Sequence, residues 1–319
     1  MNQVVLCPIC IESPSRHYST IDGYDYFACE TCGSLHIDPA VIARMDLGGS
    51  VVGGYADEYW EQERRAAADR AAGLSLCRAG EAILYCRRPV RRFLDVGSGP
   101  NYLASNLQHL IDPDEEIVHS VEKFPPPYAK RHPNFHIGEV GSLHGTFDAG
   151  VCIEVVEHLT PSMLAGVAAG LAKVSAPGSY WLFNTGMPGY VLNEDPAYMD
   201  PTRRGHIVSY SLAAVERIFS PLGFRVGTLP GKSFAFFAEY QPVEELDFDR
   251  RIYAPVAENA ALLKRNGLLF HAAFETARSY LYYSGYMERT AWALALDGEL
   301  HALRATYSEK PETIDPNGV

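Results

Sequence analysis

From residue 93 onward the chain alternates short apolar runs with amphipathic stretches. The runs at 93–96, 117–121, 134–138, 148–153 and 179–184 have the length and the branched or aromatic content of buried strands. Between them, 101–111 and 161–174 repeat apolar residues at helical spacing. This alternation predicts βαβ units and a largely parallel sheet. Further strands near 224–229 and 233–240 flank Pro230-Gly231-Lys232, which predicts an antiparallel hairpin at a sheet edge, with 211–222 as the helix before it. Residues 57–86 are rich in good helix formers. After Pro242 the pattern turns helical, and two helices rich in Ala, Leu and Tyr are expected at 257–286 and 288–306. Gly48-Gly49 and Gly53-Gly54 mark a loop or linker, and 310–319 reads as a loose tail. The expected division is 1–45, 55–242 and 243–319.

Composition adds chemistry in one region. The 319 residues, 47% hydrophobic and 21% charged, suit one large or two modest globular domains. A formal net charge of −12 does not draw in a phosphate backbone. The basic spots Arg87-Arg88, Arg91-Arg92 and Arg203-Arg204 are too short to reverse that. A small-molecule acceptor is therefore expected, and nucleic acid is not. No run approaches the ~20 apolar residues of a membrane span, and the first residues lack the basic-then-apolar pattern of an export signal. A cytoplasmic location is expected, with the seven cysteines reduced. Cys7-Pro-Ile-Cys10 and Cys29-Glu-Thr-Cys32 then have the spacing of a zinc ribbon. Soft thiolates select zinc, with iron as the rival. Four of them fill a tetrahedron, so the site is expected to be structural. His17 and His36 nearby are expected at the surface.

Leu94-Asp95-Val96-Gly97-Ser98-Gly99-Pro100-Asn101 follows the first core strand and opens a helix. Its glycines let the backbone turn tightly and approach a ligand closely. Alone, Gly-x-Gly marks only a nucleotide-like ligand by a tight turn, since the third glycine of a dinucleotide fingerprint is missing. The segments behind it carry more. The second strand ends in Glu122, and Phe135-His136-Ile137-Gly138-Glu139-Val140 follows. Then come Cys152-Ile153-Glu154-Val155-Val156-Glu157-His158 and Gly205-His206-Ile207-Val208-Ser209-Tyr210-Ser211. In this order these segments resemble the motifs of class I S-adenosylmethionine-dependent methyltransferases, with Pro100 where that family often has another glycine. The resemblance implies an α/β, Rossmann-like, seven-stranded and mostly parallel sheet, with an N-terminal zinc ribbon and a helical C-terminal extension. It implies a cofactor held by Asp95, Gly97, Gly99, Glu122, Lys123, Glu139, Val140 and Glu154. Glu122, as an acceptor-only carboxylate, suits the ribose hydroxyls. A four-cysteine ribbon ahead of such a domain is similar, in domain order, to bacterial sugar methyltransferases. The acceptor implied is a sugar or another natural-product intermediate, methylated on oxygen or carbon.

Methyl transfer requires alignment of donor and acceptor and, for an oxygen nucleophile, removal of a proton. The candidate catalytic residues are Glu157, His158 and His206. Glu154, Glu157 and His158, at spacings of three and four, would also share one helical face, where hard oxygens suit magnesium. Tyr55, Tyr59 and Trp60 read as a lid or as packing. Tyr280, Tyr282, Tyr283 and Tyr286, with Phe270 and Phe274, read as core, interface or acceptor wall, and a homodimer stays open. Two other readings remain. One is an RNA-modifying enzyme that reads through the ribbon. The other is a cofactor-binding scaffold without turnover.

Overall fold

A computed structural model describes residues 4–11, 13–49, 57–114 and 116–308, without the side chains of 57–60, 62, 63 and 305–308. Tyr55, Gly53-Gly54 and the tail from 310 lie outside the described residues, as do the side chains of Tyr59 and Trp60.

The N-terminal region is an antiparallel meander of β1 (Val5–Leu6), β2 (Pro14–Ile21), β3 (Tyr24–Cys29) and β4 (Leu35–Ile37). Asp22 and Gly23 join β2 to β3 with φ of 50° and 80°. A two-residue hairpin turn of matching twist requires positive φ at both positions. α1 (Pro39–Asp46) follows, capped by the Asp38 side chain at Ala40 N–H, 2.7 Å away. Next come α2 (Asp57–Ala72) and α3 (Leu74–Tyr85). The helical stretch expected over 57–86 is thus two helices, broken at Gly73, where φ is −130° and ψ −102°.

The core then runs β5 (Phe93–Val96), α4 (Tyr102–Ile111), β6 (Val118–Glu122), β7 (Phe135–Ile137), β8 (Phe147–Ile153), α5 (Pro161–Val174) and β9 (Ser175–Asn184). α6 (Pro188–Asn193), β10 (Val208–Ser209), α7 (Leu212–Phe219), β11 (Phe224–Thr228) and β12 (Ala235–Tyr240) complete it. Seven strands form one sheet in the order β11-β12-β9-β8-β5-β6-β7. All neighbours from β9 to β7 are parallel, while β12 is antiparallel to both β9 and β11. β5 and β12 are buried almost throughout, which is why they read as continuous apolar runs. The chain winds from β5 outward to β7, then returns to β8 and winds the other way. The crevice of such a sheet opens at the carboxyl ends of β5 and β8.

β10 departs from this pattern. It pairs with the ribbon, setting Val208 opposite His36 and Ser209 opposite Leu35. Ile37 N–H donates to Ile207 O at 2.9 Å. One apolar cluster therefore runs from the four cysteines, Tyr26 and Ile37 through Val208 and Tyr210 to Phe183 and Phe236 of the sheet. A second cluster covers the other face, where α3, α4 and the C-terminal helices pack.

Those C-terminal helices are α8 (Phe248–Tyr253), α9 (Ala257–Leu263) and α10 (Gly267–Ser308). The break expected near 287 is absent, and the helix expected at 257–286 ends at Leu263. Asn266, three residues past that end, starts the next helix by accepting Leu269 N–H at 3.0 Å. Nothing near 287 removes a backbone donor, and a single Gly285 is tolerated inside a long helix. α10 lies close on α3: a Cβ on Gly80 would fall 2.6 Å from Ala273 Cβ. Fully buried Arg251 ties α8 to β12, donating to both Glu239 oxygens at 3.0 Å. No helix of the described residues is long and apolar enough to cross a membrane.

Candidate active site

The turn after β5 is built by two glycines with φ of 71° and 51°, Gly97 and Gly99. A Cβ on Gly97 would lie 2.5 Å from Val155 Cγ2, so this turn presses against the loop after β8 and admits no side chain. Glu122, at the end of β6, reaches across and accepts Gly99 N–H at 2.8 Å and Phe124 N–H at 2.9 Å. A carboxylate has about four acceptor sites, so lone pairs remain for a ligand's hydroxyls. Ser98 Oγ, Asn101 Oδ1 and Ser120 Oγ are buried around the turn without a hydrogen-bond partner. Asp95, 3% exposed, is pushed up to about 7, by burial first and by the Glu122 charge second.

Lys123 and Glu139 pair at the exposed rim with 2.7 Å between Nζ and Oε1. That cation and its hydrogen bond hold the Glu139 carboxyl below its ordinary range. Val140 is buried at the start of a one-turn 3-10 helix, Val140–Ser142. Thus Asp95, Gly97, Gly99 and Glu122 meet around one turn, and Lys123, Glu139 and Val140 lie past the ends of β6 and β7.

Glu154 belongs to a different wall. It does not share a helical face with Glu157 and His158, because its φ is +55° and only Val156–His158 forms a 3-10 turn. Its carboxylate accepts Asn184 Nδ2–H at 2.8 Å and is pushed up to about 8 by burial and by the Glu157 charge. With Asn184, Tyr198, Arg70, Arg78 and Tyr280 it lines a cavity of about 380 Å³. The cavity also carries the Arg204–Asp195 ion pair, 3.3 Å apart. Arg78 is held by buried Glu81, which also pairs with Lys232 at 3.0 Å. Sequence reasoning missed Arg70, Arg78, Asn184 and Tyr198 here, and no short motif marks them. Of the C-terminal aromatics, Tyr280 reaches the cavity, Phe270 and Phe274 are half-buried, and Tyr282, Tyr283 and Tyr286 are exposed.

Glu157, His158 and His206 adjoin the cavity but do not line it. Glu157 and His206 are buried and His158 half-buried. His206 Nδ1 lies 2.7 Å from Tyr198 O, His158 Nδ1 lies 3.1 Å from Gly205 O, and the two rings meet edge-on, 5.0 Å between centroids. Burial drives the Glu157 carboxyl up and the His206 imidazole well down.

In the ribbon the four thiols of Cys7, Cys10, Cys29 and Cys32 all lie within 4.8 Å of one another. Zn–S bonds of ~2.3 Å give a tetrahedral edge of about 3.8 Å, and Cys10 Sγ and Cys29 Sγ are 3.9 Å apart. Cys10 N–H points at Cys7 Sγ, and Thr31 and Cys32 N–H at Cys29 Sγ, each at 3.4 Å. These donors suit thiolates, so the residues fit a structural zinc ion. His36 is not at the surface, as the sequence suggests. It is buried, bonded to Ser15 Oγ at 3.0 Å and to Ile37 O at 2.9 Å, because β10 covers β4. His17 is exposed.

No family model and no curated protein matches the chain. Among solved structures it is similar to an amino pentose methyltransferase from Micromonospora echinaspora involved in calicheamicin biosynthesis. That match has 18% identity, covers 58% of this chain and 97% of the other, and has a TM-score of 0.42. It is also similar to magnesium protoporphyrin IX methyltransferase from Synechocystis PCC 6803, at 15% identity over 56% of this chain and 81% of that one, TM-score 0.35. An O-methyltransferase from neocarzinostatin biosynthesis matches at 16% identity, 61% and 62% coverage, and a TM-score of 0.43. At these values the fold rests on the strand order itself, and what those proteins act on is theirs.

Proposed function

We propose that this chain is a cytoplasmic S-adenosylmethionine-dependent methyltransferase for a small acceptor, a sugar or another natural-product intermediate, with structural zinc in its ribbon. The observation that supports this best is the turn closed by Glu122 on Gly99 at the switch point of the sheet, with unpartnered Ser98, Asn101 and Ser120 oxygens around it. That is a cradle for a polar ligand, and a second, acceptor-sized cavity opens beside Glu154. When bound, the cofactor supplies a methyl group activated on sulfonium sulfur. Asp95 offers a carboxylate to a positively charged amino group, and Glu122 accepts hydroxyl protons. Val140 gives the base an apolar wall, with Lys123 and Glu139 at its rim. Glu154 and Asn184 stand on the cavity wall within reach of both cofactor and acceptor, and half-buried His158, with Glu157 and His206 behind it, marks the side from which the acceptor's proton leaves. A homodimer is part of this reading. Its apolar surface is the outer half of α10, where Trp292, Leu296, Leu300 and Leu303 are exposed along one face.

Calorimetry with the wild type, Asp95→Ala and Glu122→Ala tests the reading. S-adenosylmethionine is expected to bind the wild type and to lose at least ~10-fold in affinity in each variant, roughly 1.4 kcal/mol. Unchanged affinity in both variants would overturn the assignment of this turn. Transfer of labelled methyl into a sugar panel then separates an enzyme from a binding scaffold.

A further inference from the structure

Glu157, His158 and His206 present one ligand atom each within 4.8 Å of one another, from the turn after β8 and the loop before β10. Both segments are fixed by hydrogen bonds to their backbone carbonyls. Ile207 N–H donates to Glu157 O at 2.8 Å, and the Tyr26 hydroxyl donates to His206 O at 2.7 Å. The ring contacts decide the tautomers. His206 Nδ1 meets the Tyr198 carbonyl and His158 Nδ1 the Gly205 carbonyl. A carbonyl only accepts, so both rings carry a proton on Nδ1 and a lone pair on Nε2 in their neutral forms. His206 Nε2 stands 3.8 Å from Glu157 Oε1, too far for a hydrogen bond. Both Glu157 oxygens are fully buried without a hydrogen bond of normal geometry, although the Thr185 and Tyr198 hydroxyls and the Glu154 carboxyl flank them. A buried carboxylate facing imidazole lone pairs needs a proton or a metal cation among them, and three convergent ligand atoms offer the metal a seat.

We propose that Glu157, His158 and His206 bind a divalent transition-metal ion of the zinc or iron(II) class, with at least one coordination position left open. Two imidazoles and one carboxylate suit such an ion better than magnesium, which prefers an all-oxygen set. Holding Nδ1–H on a backbone carbonyl is how metal-binding histidines are oriented. Glu154 stands outside this group of ligand atoms and lines the cavity beside it. An acceptor hydroxyl placed on the open position ionises more readily. That consequence rests on the methyl-transfer reading, whereas binding of the ion does not.

The test uses the full chain produced in cobalt-supplemented medium, because cobalt(II) absorption separates thiolate from nitrogen and oxygen ligands. The wild type is expected to carry two ions per chain. One shows the thiolate charge-transfer band of the ribbon, and the other shows weaker absorption without it. Glu157→Gln and His158→Gln should each lose the second ion and keep the thiolate band, which also reports that the ribbon is folded. His158 is half-buried, so its variant decides the matter if Glu157→Gln does not fold. A wild type with one ion, all in the thiolate band, overturns the proposal. So does a second ion retained in His158→Gln. Displacement of the second ion by equimolar magnesium overturns the metal class. S-adenosylmethionine affinity measured on the same samples reads separately, so failure of the cofactor assignment is distinguishable from failure of this one.

Discussion

At Asp95 burial and the Glu122 charge raise the carboxyl from 3.8 to about 7. Between those two values the folded chain holds a proton that the unfolded chain has released, so this group makes stability fall as pH rises. Asp95→Asn removes the effect. The variant is expected to gain little near pH 4 and progressively more up to pH 8, on the order of 2–4 kcal/mol, since each pH unit between the two values contributes ~1.4 kcal/mol. Urea melts across that range check it; a gain independent of pH would sink the assignment. The same variant should bind S-adenosylmethionine poorly, so stability and binding pull against each other at this side chain. Asp95, Gly97, Gly99 and Glu122 were legible in the sequence because one strand–turn unit and the next strand end place them. Arg70, Arg78 and Tyr280 were not. They stand on three separate helices, and a lone charge on a helix reads as a solvated face until tertiary packing closes a cavity over it.

Among the elements, the core strands and α5 fall where apolar periodicity puts them, since burial on both faces leaves a strong pattern. Helix ends in the C-terminal region do not, because single side chains set them. Asn266 sets one such end, and Asn259, inside α9, fixes where that helix sits. Asn259 Oδ1 accepts Val90 N–H at 2.7 Å, and its Nδ2 donates toward the carbonyls of Ile83, Cys86 and Arg88 at 2.9–3.1 Å. One buried amide thereby holds α9 against the end of α3 and the entry to β5. Asn259→Ala strands a buried N–H and several carbonyls, and a loss on the order of 2–4 kcal/mol is expected. Chemical denaturation measures it. A loss under ~0.5 kcal/mol would mean that the amide is incidental.

For the whole molecule, the ribbon and the sheet share one apolar cluster, and the loop that carries His206 is clamped between them by Tyr26. On the proposal that the four thiols hold zinc, a chelator should therefore lower the melting temperature of the whole chain in one transition, followed by far-ultraviolet circular dichroism. Two separate transitions, with the second unchanged, would show that the ribbon folds apart from the sheet. Cysteine spacing made the four-thiol cluster legible, but nothing in the spacing says that β4 finds its partner some 170 residues later, in Val208 and Ser209. That pairing bears on how the protein is handled. A chain trimmed to begin at α2 would bare the edge of Val208–Ser209 and the apolar side of Tyr210 at once. An open strand edge beside exposed apolar surface recruits other chains. Such a trimmed protein should aggregate, which light scattering on it would register, and the N-terminal strands thereby serve as the cover that keeps this edge from other chains.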